Sequence, residues 1–118
     1  MAVTIYHNPR CSKSRKTLEL ITAAGVTPQI VEYLKTPPTP GEIVGLASKL
    51  GVNVSEILRT GEAEYKDATD LPALENSDAL ADWMAAHPKT LQRPIVVNDD
   101  TGAAVIGRPP ENVLGILG

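Results

Sequence analysis

Tyr6-His7-Asn8-Pro9-Arg10-Cys11-Ser12-Lys13-Ser14-Arg15 joins a short apolar run to a helical pattern and contains the only cysteine of the chain. A thiol reacts as its thiolate, and neighbouring cations or a helix N-terminus lower its pKa. Four of the eleven Lys and Arg residues stand at positions 10 to 16, and the first eighteen residues contain no Asp or Glu. Cys11 is therefore predicted to be an activated nucleophile in a site that attracts an anion.

The residues on either side of this segment predict a parallel βαβ unit. A first strand is expected at Val3 to Tyr6, a helix from about Ser12 to Ala24, and a second strand at Gln29 to Leu34. Gly25 is a typical residue for the end of such a helix. The apolar face of the helix is expected to contain Leu18, Ile21 and Ala24.

The middle of the chain predicts a block of helices. After a proline-rich connector, Thr39 and Glu42 have the spacing of a capping box, which marks the start of a helix that Gly51 is expected to end. Short helical pieces and loops follow, and then a helix from Asp78 to Ala86. This block, at about residues 37–90, interrupts the αβ pattern.

The last third changes to a strand pattern. Ile95 to Val97 is β-branched throughout, and a polar turn separates it from a second apolar run at Ala103 to Ile106, so a hairpin is expected. A final helix follows. Its buried face is expected to contain Val113, Leu114 and Leu117.

Composition narrows the functional classes. A length of 118 residues suits one domain, and a net charge of −3 argues against nucleic-acid binding, which needs a basic face. One cysteine excludes an internal disulfide and cysteine-rich zinc modules, so no metal is expected. With no signal peptide or membrane span in the pattern, a reactive thiol is expected in the cytoplasm.

The order βαβ, helical block, ββα resembles the thioredoxin-like fold, an α/β fold with a mixed four-stranded sheet, here with a helical insertion between its halves. In that fold the reactive cysteine follows the first strand and opens the first helix, as Cys11 does. The spacing of Cys11 and Ser14 resembles a redox Cys-x-x-Cys with a hydroxyl in place of the second sulfur. Pro94, just before the third strand, matches the position of the cis-proline of that fold.

The closer resemblance is to the glutaredoxin-coupled, glutathione-dependent arsenate reductases. Tyr6-His7-Asn8-Pro9-x-Cys11-x-x-Ser14-Arg15 is similar to the active-site loop of that family. Three later segments match in order and spacing: Leu58-Arg59, Arg93-Pro94-Ile95-Val96-Val97 and Gly107-Arg108-Pro109. The resemblance spans nearly the whole chain and implies a single domain over residues 1–118, with its insertion at about 37–90.

Membership of that family would imply a mechanism. Cys11 attacks arsenate, with His7 and Ser14 supporting its thiolate, and forms an arsenic–sulfur adduct. Glutathione joins the adduct as co-substrate, arsenite leaves, and glutaredoxin reduces the remaining mixed disulfide. The resemblance places Arg59, Arg93 and Arg108 around the oxyanion. A monomer with no bound cofactor is expected, and the net charge and the lack of a long apolar run predict no nucleic-acid partner and no membrane partner.

Other functions stay open at this point. A phosphatase-type loop is excluded because it needs an arginine six residues after the cysteine, where Thr17 stands. A general glutathione-dependent thiol oxidoreductase would use Cys11 and Ser14 without needing all three arginines. A non-enzymatic regulator that binds RNA polymerase is a further alternative, although its relatives usually have the second cysteine that Ser14 replaces.

Overall fold

The computed structural model of the protein describes residues 1–117. Residues 1–36 and the segment from Arg93 onward form one compact unit, which is built on a mixed sheet. Its strands are β1 (Val3–His7), β2 (Gln29–Glu32), β3 (Ile95–Asn98) and β4 (Ala104–Ile106). They lie in the order β2-β1-β3-β4. The strand β1 is parallel to β2 and antiparallel to β3, and β4 is antiparallel to β3. This arrangement confirms the predicted α/β, thioredoxin-like sheet.

The helix α1 (Ser12–Ala23) connects the two parallel strands and lies on the sheet. Gly25 follows it with φ +83°, a left-handed conformation that glycine adopts without strain. The strand β2 ends at Glu32, two residues earlier than predicted, because the N–H groups of Lys35 and Thr36 both turn back to the Glu32 carbonyl, at 2.9 Å each.

The core of the unit that contains the sheet is aliphatic. Fully or nearly buried side chains from β1, α1, β3 and the C-terminal segment pack together: Val3, Ile5, Ile21, Val96, Val113 and Leu117. Two residues predicted to be buried are exposed. Ala24 lies past the last turn of α1, at its C-cap. The predicted final helix is a 3₁₀ helix, Pro110–Ile116, in which residues three apart share a face, so Val113 points inward while Leu114 is 50% exposed.

The chain divides into two compact units, and the second is the continuous segment Pro37–Gln92. It contains α2 (Pro40–Leu50), α3 (Ala63–Lys66) and α4 (Ser77–Ala86), with short 3₁₀ helices at Val54–Ile57 and Pro88–Thr90. The second unit therefore coincides closely with the predicted insertion at about 37–90. A single domain over 1–118 stays a prediction, and its last residue, Gly118, lies outside the described residues.

Helix α2 begins at the predicted capping box. Thr39 accepts the Glu42 backbone N–H through its hydroxyl at 3.2 Å, and Glu42 accepts the Thr39 N–H through its carboxylate at 3.2 Å. Gly51 ends the helix with φ +73°. Helices α2 and α4 pack against each other, and Ile43, Leu46, Leu80 and Met84 are buried. No helix within residues 1–117 is long and apolar enough to cross a membrane.

Gly107 allows a close approach between the end of β4, α1 and the start of β3. Its N–H donates to the Pro94 carbonyl at 2.9 Å, and it faces Thr17 of α1. A Cβ at this position would lie 2.5 Å from Thr17 Oγ1 and 2.8 Å from Pro94 Cγ, closer than real Cβ contacts. The position thus requires glycine for steric reasons, and the contact ties the end of β4 to α1 and to the start of β3.

Gly107→Ala should lower the free energy of unfolding by about 1–3 kcal/mol, the usual cost of overpacking a site that cannot expand. Urea denaturation of the variant and the parent protein measures this difference. Gly115→Ala is the matched control, because a Cβ at Gly115 meets nothing within 4 Å, and it should change stability by less than about 0.5 kcal/mol. Equal effects of the two substitutions would contradict the steric reading of Gly107.

Candidate active site

A short turn carries the chain from β1 to Cys11. The Cys11 N–H donates to the Asn8 carbonyl at 3.0 Å, with Pro9 at the second position of the turn, where proline is favoured. The Asn8 side chain accepts the Arg10 N–H at 3.0 Å, and the Arg15 guanidinium donates to the Pro9 carbonyl at 2.9 Å. These hydrogen bonds fix the conformation of the loop that leads to Cys11. Cys11 itself is the N-cap residue of α1.

The Cys11 sulfur is partly exposed and surrounded by hydrogen-bond donors. Burial alone would raise the pKa of the thiol. The backbone N–H groups of Ser14 and Lys13, together with the side chain of Arg93, stabilise the thiolate more strongly, so the pKa of Cys11 lies below its ordinary value. These N–H groups belong to the first turn of a helix and have no partner within it. A larger fraction of Cys11 is therefore in the nucleophilic thiolate form than of an ordinary thiol at the same pH.

Arg93 and Arg108 meet at this sulfur although fifteen positions separate them in the sequence. The Arg108 Nε donates to the Arg93 carbonyl oxygen at 2.8 Å. Its Nη2 lies 3.9 Å from Cys11 Sγ, near the outer limit for a hydrogen bond to sulfur, while the Arg93 side chain hydrogen-bonds the sulfur. The Arg93–Pro94 peptide bond is cis, and so is the Arg108–Pro109 bond.

Ser14 connects the first strand to the first helix. Its buried hydroxyl lies 2.6 Å from His7 Nδ1 and accepts the Asn8 backbone N–H at 3.0 Å. The sequence led us to expect the Ser14 hydroxyl on the thiolate. In the structure, the group of Ser14 that stabilises the sulfur is its backbone N–H, and the hydroxyl holds the loop in place.

His7 is buried and uncharged near neutral pH. Burial lowers the pKa of its imidazole, the Glu32 carboxylate raises that pKa, and the Arg15 cation lowers it, with a net shift below the ordinary value. A neutral imidazole has no net charge with which to stabilise a thiolate. Its contact with Ser14 therefore makes His7 a positioning residue for the loop and for the first turn of α1.

Arg59 lies in the second unit, and its known partners lie there too. Its Nε is 3.2 Å from Glu62 Oε1, its Nη1 donates to Gln92 Oε1 at 2.9 Å, and its backbone N–H donates to the Thr90 carbonyl at 2.7 Å. The convergence of Arg59 with the other two arginines stays a prediction.

This arrangement is suited to bind a tetrahedral oxyanion next to a nucleophilic sulfur. Guanidinium groups form paired hydrogen bonds with such oxygens and remain charged, and the N-terminal end of α1 adds positive potential. Within residues 1–117, no group of three or more His, Cys, Asp or Glu side chains is placed to hold a metal ion. The arrangement of sulfur, guanidinium groups and helix N-terminus suits covalent attack at sulfur together with electrostatic binding of an anion.

The sequence did not identify two contributions to this site. One is the backbone N–H of Lys13, a residue that the sequence marked only through its cationic side chain. The other is the steric role of Gly107 against Thr17 and Pro94. A glycine directly before the candidate anion ligand Arg108 was the only available signal for the second, and no sequence signal distinguishes the first.

The pH dependence of Cys11 alkylation should reflect the lowered pKa. With iodoacetamide, the midpoint is expected below that of an ordinary thiol, and Arg93→Ala should move it upward because one stabilising cation is lost. As the only cysteine, Cys11 gives the entire signal. Lys16→Ala removes an exposed cation of α1 that pairs with Glu19, and this control should leave the midpoint unchanged. A midpoint in Arg93→Ala equal to that of the parent would contradict the assignment.

Comparison with known proteins identifies the family of this chain. The model of the ArsC family matches residues 6–116. An uncharacterized protein of Escherichia coli strain K12 is 46% identical over 117 residues, which cover 98% of this chain and 97% of that protein. The arsenate reductase of the same strain is 43% identical over 115 residues, covering 98% of this chain and 80% of that enzyme. The solved structure of an arsenate reductase from Vibrio cholerae is 47% identical and superposes with a TM-score of 0.86, covering 99% of this chain and 98% of the other. This chain therefore belongs to the ArsC family.

Proposed function

We propose that this protein reduces arsenate to arsenite, with Cys11 as nucleophile, glutathione as co-substrate and glutaredoxin as the reductant that regenerates the thiol. The observation that carries the proposal is a single thiol of lowered pKa in hydrogen-bonding reach of Arg93 and Arg108. Relatives named arsenate reductases match nearly the whole length of this chain.

Arsenate fits the chemistry of the site. Near neutral pH it is a doubly charged tetrahedral oxyanion, so two guanidinium groups and the N-terminus of α1 neutralise charge that would otherwise repel a thiolate. Arg108 is held by the Arg93 carbonyl at 2.8 Å. An arginine that is already fixed before the substrate arrives loses little conformational freedom on binding. Such a preorganised cation also stabilises the negative charge that develops during attack.

The proposed first step forms a sulfur–arsenic bond. The Cys11 thiolate attacks arsenic, one arsenic–oxygen bond breaks, and the oxygen leaves as water after taking up protons. Arsenic remains pentavalent in this adduct. Arg93 and Arg108 hold the remaining oxygens in the proposal.

The second step transfers the electrons. Glutathione joins the adduct and a sulfur–sulfur bond forms between it and Cys11, while the electron pair of the sulfur–arsenic bond stays on arsenic. Two thiolates have then been oxidised to one disulfide, their two electrons have reduced arsenic from the pentavalent to the trivalent state, and arsenite leaves. With one cysteine in the chain, the mixed disulfide needs a thiol from another molecule, and glutaredoxin supplies it in this proposal.

The other predicted residues have supporting parts. His7 and Ser14 fix the loop through their 2.6 Å contact, and Pro94 fixes the backbone that carries Arg93. Arg59 is proposed as a third ligand of the anion. The proposed enzyme acts as a monomer without a bound cofactor, and its need for a reduced thiol and glutathione suits the cytoplasm.

Cys11→Ser should abolish arsenate-dependent oxidation of NADPH in an assay with glutathione, glutaredoxin and glutathione reductase. A serine hydroxyl neither ionises near neutral pH nor forms a disulfide. The parent protein without arsenate gives the background rate. Turnover above background in Cys11→Ser would exclude Cys11 as the nucleophile. An inactive parent whose Cys11 still forms a mixed disulfide with glutathione would instead favour a thiol oxidoreductase of another substrate.

Arg93→Ala should lower kcat/KM for arsenate by an amount equivalent to about 1.5–3 kcal/mol, the scale of a charged hydrogen bond. The rates should be compared above the alkylation midpoints of both proteins, so that the loss measures contact with the anion and excludes a change in thiolate fraction. Lys16→Ala is the control for general charge. Unchanged kcat/KM in Arg93→Ala would remove Arg93 from the arsenate site.

A further inference from the structure

A second feature lies at the same end of the sheet as Cys11. The parallel register of β1 and β2 pairs His7 with Glu32, so both strands end side by side and their following loops meet. A pocket of about 190 Å³ lies between these loops. Its lining comes from the loop before Cys11 and from the turn after β2: His7, Asn8, Pro9, Arg10, Glu32, Leu34 and Lys35.

The pocket has an apolar part and a charged rim. Pro9 and the 37% exposed Leu34 supply apolar surface, while Arg10, Lys35 and Glu32 supply two positive charges and one negative charge. Lys35 Nζ lies 3.5 Å from Glu32 Oε1, and their side chains are 78% and 40% exposed. Such an exposed pair contributes little stability and can exchange for the charges of a ligand. Within residues 1–117, no carboxylate pairs with the Arg10 guanidinium.

We propose that this pocket binds the glutathione peptide, including the form that is joined to Cys11 in the mixed disulfide. Glutathione has two carboxylates and one ammonium group, the complement of two cations and one carboxylate on the rim. The carboxylates bind Arg10 and Lys35, the ammonium group binds Glu32, and the apolar stretch of the peptide lies on Pro9 and Leu34. The inference rests on the proposed use of glutathione.

The location of the pocket fits a reaction with two substrates. Cys11 does not line the pocket, but Arg10 directly precedes it in the chain. In the proposal, the peptide extends from the pocket past Arg10 to the sulfur. Neither Arg93 nor Arg108 lines the pocket. The oxyanion and the peptide therefore have separate ligands, and both can be bound when the second thiol attacks the adduct.

The test uses a thiol–disulfide reaction that needs no arsenate. When oxidised glutathione reacts with the protein, the Cys11 thiolate forms a bond to one sulfur, the original disulfide breaks, and one glutathione thiolate leaves. Rates are followed by mass spectrometry of the whole protein at fixed pH and ionic strength. A parallel series with 2-hydroxyethyl disulfide, which is uncharged, measures the intrinsic reactivity of the sulfur in each variant.

The double variant Arg10→Ala/Lys35→Ala should react with oxidised glutathione about tenfold more slowly, from the loss of two charge contacts. Its rate with 2-hydroxyethyl disulfide should change less than about twofold. Lys16→Ala, which removes an exposed cation outside the pocket, should leave both rates unchanged. In the arsenate assay, the double variant should raise KM for glutathione and leave KM for arsenate unchanged.

Two results would overturn the inference. Equal slowing with both disulfides would mean that Arg10 and Lys35 act on the sulfur and not on the peptide. Equal slowing in Lys16→Ala would mean that any cation near α1 attracts glutathione, without a specific pocket. Because this reaction contains no arsenate, a protein without arsenate turnover can still show the selectivity for oxidised glutathione, and an active reductase can lack it. The proposed function and the proposed pocket therefore fail separately.

Discussion

Stabilising a negative charge on one sulfur requires several donors aimed at one point, and the strand register of this fold brings them there. Tyr6 of β1 pairs with Ile95 of β3, and Ile95 pairs with Ile106 of β4. The residues that follow Tyr6, precede Ile95 and follow Ile106 therefore lie at one end of the sheet. Those residues are the loop to Cys11, the Arg93–Pro94 pair and the Gly107–Arg108 pair. A shift of one residue in either pairing would turn these side chains to the opposite face.

Close packing and hydrogen bonds constrain the residues at this end of the sheet. Gly107 lets β4, α1 and the start of β3 approach more closely than any side chain would allow, and the bond from Arg108 to the Arg93 carbonyl fixes one arginine on the backbone of the other. Ser14 performs the same task on the other side of the sulfur, through His7 and Asn8. Electrostatic stabilisation of a reacting group is largest when its donors need not reorganise. The uncharged residues of the site thus position the charged residues.

Sequence patterns predicted the elements with strong local signals. The capping box at Thr39 and Glu42, the β-branched run from Ile95 and the helix after Cys11 all appear where expected, since caps, strand residues and apolar periodicity act within a few positions. The C-terminal segment was less predictable. Its apolar residues suit either helix type, and the tighter 3₁₀ form exposes Leu114.

The identity of Cys11, Arg93 and Arg108 as a group came from resemblance, because no local pattern relates positions so far apart. The exact donors to the sulfur depend on backbone geometry in the first turn of α1. They could not be deduced from side-chain identity, as the hydroxyl of Ser14 demonstrates.

The distribution of charge suits two separate functions, binding of the oxyanion and binding of the peptide, which a single positively charged site could not distinguish. The chain has a net charge of −3, yet four cations lie at positions 10 to 16, so the local charge of this segment is opposite in sign to that of the whole chain. Both proposed substrates are anionic, and a nucleophilic thiolate repels both. The half-buried guanidinium groups of Arg93 and Arg108 suit the small dense dianion, which must reach the sulfur itself. A partly apolar pocket with an exposed mixed-charge rim suits a flexible peptide, which must bind, react and then be released to another thiol. Tight binding of the peptide would slow that release, so the weak, exchangeable Lys35–Glu32 pair is better suited to the second task than a third arginine at the sulfur would be.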